Sequence, residues 1–127
     1  MKQIWIVDDD EEMTRAVKLM MKLLEHETSS FFNARSVVQA MMDGRVPDLI
    51  LLDINMPEVT GLDLLEFLRR RPGTKNLPVV MLSTEASDVM IDRANELGAD
   101  AYVSKPVTLE ELERAMNEAF EKRRGMS

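Results

Sequence analysis

Residues Leu49 to Leu52 are a run of apolar side chains that ends in Asp53, with Pro47 and Asp48 before it and Asn55, Met56 and Pro57 after it. A short run that is apolar at consecutive positions and bounded by turn residues is the pattern of a strand buried on both faces of a parallel sheet. A strand with one wet face would alternate instead. In open α/β sheets ligands collect just beyond the carboxyl ends of the strands, so Asp53 stands where a side chain can do chemistry. A single Asp in that place also suits a turn. What decides its meaning is the company it keeps at the other strand ends.

Taken in order, Lys2 to Val7 reads as a strand whose apolar end, Ile4 to Val7, runs into Asp8, Asp9 and Asp10. From Glu11 to about His26, Met13, Ala16, Val17, Met20, Met21, Leu23 and Leu24 recur at helical spacing and form a core stripe. Glu27 to Phe32 is a more polar strand, suited to a sheet edge. A helix follows, with Asn33 or Ser36 as its N-cap, Ser36 and Gln39 spaced as a capping box, and Gly44 as its stop.

After the Leu49 strand, Gly61 to Arg71 carries Leu62, Leu65 and Leu68 on one face and ends at Pro72 and Gly73. Leu77 to Leu82 is a further buried strand ending at Ser83 and Thr84. Ala86 to Leu97 is helical, closed by Gly98, and Ala101 to Val103 is a short strand ending at Ser104, Lys105 and Pro106. Thr108 with Glu111 is spaced as a capping box for a last helix lined by Leu109, Leu112, Met116, Ala119 and Phe120. Lys122 to Arg124 then sit where cations favour a helix dipole.

Strands alternating with helices imply an α/β fold, a doubly wound parallel sheet with right-handed crossovers. Every polar group of note then falls on one edge of the sheet: Asp8 and Asp9, Asp53, Ser83 and Thr84, and Lys105. The 127 residues suit one domain, 1–127, and the absence of Cys excludes disulfides and thiolate metal sites. A net charge of -7 argues against a nucleic-acid surface. No apolar run reaches the length of a membrane span and no signal-peptide core is present, so a cytoplasmic location is expected.

Two carboxylates about 4 Å apart repel by roughly 4 kcal/mol at an effective dielectric of about 20. A cluster of them takes up protons or binds a cation. Oxygen ligands with no His or Cys at hand select a hard ion such as magnesium, which favours sites that also hold phosphate. With the Lys105 ammonium and the Ser83 hydroxyl on the same edge, the parts for phosphoryl transfer onto an Asp are assembled.

The combination VDDD near the start, LLDINMP in the middle, MLST after the fourth strand and YVSKP near the end resembles the receiver domain of two-component response regulators, over essentially the whole chain. The resemblance implies the CheY-like, flavodoxin-like (βα)5 fold, with a five-stranded parallel sheet in the order 2-1-3-4-5. It implies that Asp53 is the phosphoacceptor, that Asp8, Asp9 and Asp53 hold Mg2+ together with the backbone carbonyl of Asn55, and that Ser83 and Lys105 serve the phosphoryl group. Pro106 follows the lysine in what is usually a cis peptide. Tyr102 matches the family's aromatic switch position, and Asp10 is an extra acid best read as a helix-start residue.

The implied partners are a sensor histidine kinase or a histidine phosphotransfer protein, which donates from a phosphohistidine. Downstream lies a protein, or a second copy, met through the face of the fourth helix, fifth strand and fifth helix, with Asp88, Asp92, Glu96, Tyr102 and Glu113. No element follows the last helix, so output is expected to go through that face rather than an attached domain. The chain would catalyse only its own phosphorylation and dephosphorylation.

Two other classes use similar parts. A magnesium-dependent aspartyl phosphohydrolase would place a second acid two residues after the nucleophile, where this chain has Asn55, and would need a substrate cap. A nucleotide or flavin module would carry a G-x-G-x-x-G or G-x-x-x-x-G-K-[ST] loop after a strand, and none is present.

Overall fold

Alternation along each strand decides which helices cover which face of the sheet. In the computed structural model, which describes residues 1–85 and 87–124, the elements run β1 (Gln3–Val7), α1 (Glu11–Leu23), β2 (Glu27–Phe31), α2 (Ala34–Met42), β3 (Leu49–Asp53), α3 (Gly61–Arg70), β4 (Val79–Ser83), α4 (Asp88–Glu96), β5 (Ala101–Ser104) and α5 (Leu109–Arg123). Ile4, Ile6, Leu49, Leu51, Val80 and Leu82 point into a core shared with α1 and α5. Their neighbours Trp5, Val7, Ile50, Leu52, Val79 and Met81 point into a second core shared with α2, α3 and Ala94 of α4. Successive strand residues face opposite ways, so the apolar runs fill both cores at once. Each large side chain buried in this way contributes about 1.5–3 kcal/mol.

The sheet is parallel in the order β2-β1-β3-β4-β5, with polar β2 on one edge, as expected. Val7 is level with Leu52, Asp53 with Leu82, and Ser83 with Ser104. This register draws the carboxyl ends of β1, β3, β4 and β5 together along one side.

The predicted helices shift at several points. α1 stops at Leu23 rather than near His26, because Glu25 adopts a left-handed φ of 63° and the chain closes with Glu25 N to Lys22 O and His26 N to Met21 O. That is the helix stop α2 and α4 make with Gly44 and Gly98, where glycine carries the positive φ without a Cβ penalty. On α1 the buried residues are Thr14, Val17 and Met21, whereas Leu23 is 72% exposed.

For α2 the cap is Asn33, whose Oδ1 accepts from Ser36 N at 2.8 Å; the Ser36–Gln39 box does not form, and Gln39 reaches Asp43 instead. On α3 the inner face is Leu64, Leu65 and Leu68, and Leu62 is only half-buried. Gly61 sets that phase by facing the end of β3. At α5 the Thr108 hydroxyl accepts from Glu111 N and donates to its carboxylate, each at 3.2 Å. The predicted start of the fourth helix at Ala86, and the tail 125–127, lie outside the described residues.

The opposite side of the sheet is tied by a buried ion cluster that the sequence pattern did not announce. Asp100 accepts from Val79 N at 2.9 Å, from Arg69 Nη2 at 3.1 Å and from Arg123 Nε at 2.8 Å, and Lys122 Nζ donates to its backbone carbonyl at 2.8 Å. Arg69 also donates to the carbonyls of Gly98 and Leu77 at 2.9 and 2.6 Å. Burial, and then the neighbouring Arg123 charge, pull the Arg69 guanidinium down to about 10 against the pull of Asp100, so it stays charged at neutral pH. The basic end of α5 thus pins the start of β5 as well as answering the helix dipole.

Candidate functional site

Asp8 follows the last residue of β1 and Asp53 is the last residue of β3, so the parallel register sets the two carboxylates side by side. Asp8 is 0% and Asp53 3% exposed. Asp9, exposed on the next residue, brings a carboxylate oxygen within 4.8 Å of oxygens of both. Asp10 takes the helix-start role, accepting from Glu12 N and Met13 N at 3.0 and 3.2 Å. That leaves Asp8 and Asp9 without a capping duty at α1.

Lys105, at the end of β5, reaches back across the sheet to both buried acids. Its Nζ lies 2.8 Å from Asp8 Oδ2 and 3.3 Å from Asp53 Oδ1. The contact with Asp53 is a hydrogen bond, whereas Asp8 Oδ2 is buried with no aligned donor. Asn55 N also donates to Asp53 Oδ1, at 3.3 Å. Both donors of Asp53 therefore meet one oxygen, and Oδ2 accepts from no described residue.

The electrostatics follow from this crowding. Burial, and then the Asp8 charge, push the Asp53 carboxyl above its ordinary range, against Lys105 and the Asn55 N–H, which hold it down. Burial also disfavours the Lys105 ammonium, but Asp8 and Asp53 outweigh it and its pKa rises. A single ammonium thus faces a cluster of three carboxylates. The buried Asp8 oxygen, met among the described residues only by the Lys105 ammonium, the donor set made only of oxygen, and the Asn55 carbonyl, which accepts from no described donor, fit a hard divalent cation.

Ser83 and Tyr102 are joined through a residue that the sequence reading passed over. The buried Ser83 hydroxyl accepts from Glu85 N at 2.9 Å, and the Tyr102 hydroxyl donates to the carbonyl of the same Glu85. Glu85 takes part only through its backbone, which no side-chain pattern could have flagged. Ser83 is also tied to β5, its carbonyl accepting from Lys105 N at 2.8 Å. The Lys105–Pro106 peptide is cis. The structure brings Asp8, Asp9, Asp53 and Lys105 into one cluster, with Asn55 bonded to Asp53 and Ser83 joined to Lys105 through the backbone; Tyr102 stands apart from the acids, reaching the strand ends through Glu85.

Comparison with known proteins gives the family to which this fold belongs. The family model of the response regulator receiver domain matches residues 4–117. The chain is 32% identical over 123 residues to the chemotaxis protein CheY of Pseudomonas aeruginosa, covering 97% of this chain and 99% of that protein. It is 40% identical over 114 residues to the transcriptional regulatory protein CpxR of Escherichia coli K12, covering 88% of this chain but only 46% of CpxR. The solved signal receiver domain of a signal transduction histidine kinase from Syntrophus aciditrophicus is 25% identical, with a TM-score of 0.86 over 100% of this chain and 96% of that one. With a match along most of its sequence and the whole of its fold, this chain belongs to the response regulator receiver domain family.

Proposed function

We propose that residues 1–127 act as a single phosphoacceptor receiver domain, in which Asp53 takes a phosphoryl group from a phosphohistidine of a sensor histidine kinase or a histidine phosphotransfer protein. The observation that carries this reading is the asymmetry of Asp53, whose Oδ1 accepts both hydrogen bonds while Oδ2 stays without one. Oδ2 is then the oxygen that forms the bond to phosphorus as the P–N bond breaks, and the electron pair of that bond stays on the imidazole nitrogen. Lys105 holds Oδ1 and offers positive charge to the transferred group.

Asp8, Asp9, Asp53 and the Asn55 carbonyl are the residues that would hold magnesium, which when bound supplies the charge that offsets phosphoryl oxygens beside so many carboxylates. The chain catalyses only its own phosphorylation and slow hydrolysis. A small aspartyl phosphohydrolase is the less favoured reading, because Asn55 stands where its second acid would be. A cytoplasmic setting suits a phosphohistidine donor, and no helix among the described residues is long and apolar enough to cross a membrane.

Readout begins at Ser83. A phosphoryl group adds strong acceptor oxygens, and a Ser83 hydroxyl that turns to donate to one leaves Glu85 N. Glu85 is then freed to shift, and with it the carbonyl that holds Tyr102. Tyr102 turns inward and alters the α4–β5–α5 face, through which a downstream protein or a second copy is met.

Intact-mass spectrometry with acetyl phosphate tests the site. One added phosphoryl group is expected with magnesium, and none with a chelator or in Asp53→Ala. Labelling that persists in either control rejects the assignment.

A further inference from the structure

We infer that Gly61 is a positioning residue for Asp53, an inference that rests on the reading of Asp53 as phosphoacceptor. A Cβ built on Gly61 would lie 2.0 Å from the Asp53 carbonyl oxygen, 2.8 Å from its carbonyl carbon and 2.8 Å from Ile54 Cα. All of these are backbone atoms, so no rotamer change relieves the overlap. Gly61 is also not among the positive-φ glycines, and the demand is for space rather than for backbone freedom.

The close approach belongs to a clamp on Ile54, the residue that follows the acid. Gly61 N donates to Ile54 O at 2.9 Å, and Ile54 N donates to Leu82 O at 3.0 Å. Ile54 is therefore gripped by both of its backbone groups, its N–H by the end of β4 and its carbonyl by the first residue of α3. The helix cannot easily retreat: Thr60 and Asp63 close a reciprocal capping box at its start, and Leu64, Leu65 and Leu68 bury its inner face. Any side chain at 61 must push the end of β3 by roughly 1 Å or more to reach ordinary contact distance. Displacement of that size at a reacting group costs about 10²-fold in rate.

The test compares Gly61→Ala with Met21→Ala, a cavity in the core on the other face of the sheet that leaves the clamp alone. Three quantities are read below both melting temperatures: helix content by circular dichroism, the initial rate of labelling by acetyl phosphate with magnesium, and the carboxyl 13C resonance of Asp53. The expected result is a folded Gly61→Ala chain that labels about 100-fold more slowly, with a shifted Asp53 resonance. Met21→Ala is expected to label near the wild-type rate. A folded Gly61→Ala chain that labels no more slowly than Met21→Ala overturns the inference.

If Gly61→Ala does not fold, Thr60→Ala decides. It keeps the glycine but frees the helix start, so it should slow labelling several-fold, and an unchanged rate overturns the clamp. A wild-type chain that takes no label overturns the phosphoacceptor reading instead. The Asp53 resonance then judges positioning alone, and its constancy in a folded Gly61→Ala chain overturns it.

Discussion

The ammonium of Lys105 lies 2.8 Å from the carboxylate of Asp8, a group with no exposure to solvent. A buried charge whose partner is removed is left uncompensated, at a cost of about 3–5 kcal/mol. Lys105→Met should therefore lose stability of that order in urea unfolding without magnesium, and regain part of it when magnesium is added. Because the Lys105 pKa is raised in the fold, its contribution is complete below 10.5 and is lost only as pH climbs through the raised value. A gap between variant and wild type that closes well below that pH would mean that another group answers Asp8.

Asp53 works in the opposite direction. Its folded pKa is raised, by burial first and by Asp8 second, so the charged carboxylate weakens the fold as pH rises above the ordinary 3.8, and the cost is complete beyond the raised value. Asp53→Asn should raise the melting temperature at neutral pH. The gain should vanish as pH falls to 3.8 and shrink when magnesium is present. A variant that melts lower than wild type in metal-free buffer at neutral pH would contradict this balance.

The neighbours Asp9 and Asp10 should separate cleanly. Asp10→Ala removes the cap of α1 and should cost about 1 kcal/mol of stability while leaving magnesium affinity unchanged. Asp9→Ala should leave stability nearly unaltered and weaken magnesium binding roughly tenfold or more. Paired denaturation and metal titrations check both, and equal metal affinities in the two variants would reject the division of labour.

Asp100 is a purely structural acid in this reading. Removing it takes away the carboxylate that answers the charges of Arg69 and Arg123 and leaves Arg69 with only carbonyl acceptors among the described residues, so Asp100→Ala should lose about 3–5 kcal/mol. Magnesium affinity of the folded fraction should be unchanged. A variant that keeps wild-type stability would show that the cluster carries little of the fold.

The output face is open to amide NMR with a beryllofluoride mimic of the phosphoryl group. Beyond the site itself, perturbations are expected across β5 and α4, including Tyr102 and the resonances around Glu85. Perturbations confined to α1 and α2, with 87–103 unchanged, would move the responding surface elsewhere.

Much of this fold is legible in the apolar runs, because a buried parallel strand leaves a continuous signature and its end is marked by the first polar residue. Asp8, Asp53 and Ser83 stand out for that reason, Lys105 follows one residue after Ser104, and the register of β1, β3, β4 and β5 brings those strand ends together. What stays hidden works through backbone or through space. Glu85 links Ser83 to Tyr102 by its amide and carbonyl alone, and the need for Gly61 to lack a side chain exists only once α3 lies against β3. Asp100 and Arg123 are distant in the chain and sit in unremarkable polar surroundings, so their pairing follows only from the packing of α5 beside β5. The phase of α3 departs from its apolar spacing for the same reason, since Leu62 and Leu64 differ in burial through contacts that spacing alone does not rank.

The register that lines up these strand ends also sets an order in time. Asp8 and Asp9 leave the ribosome first and Asp53 later, but the ammonium that bridges the acids arrives with Lys105, after the fifth strand of the sheet. A nascent chain halted before β5, or a copy clipped between β4 and β5, holds the acids without the cation that organises them. Under the proposed reading such fragments would not accept a phosphoryl group, so that competence doubles as a check that all five strands have been made and joined.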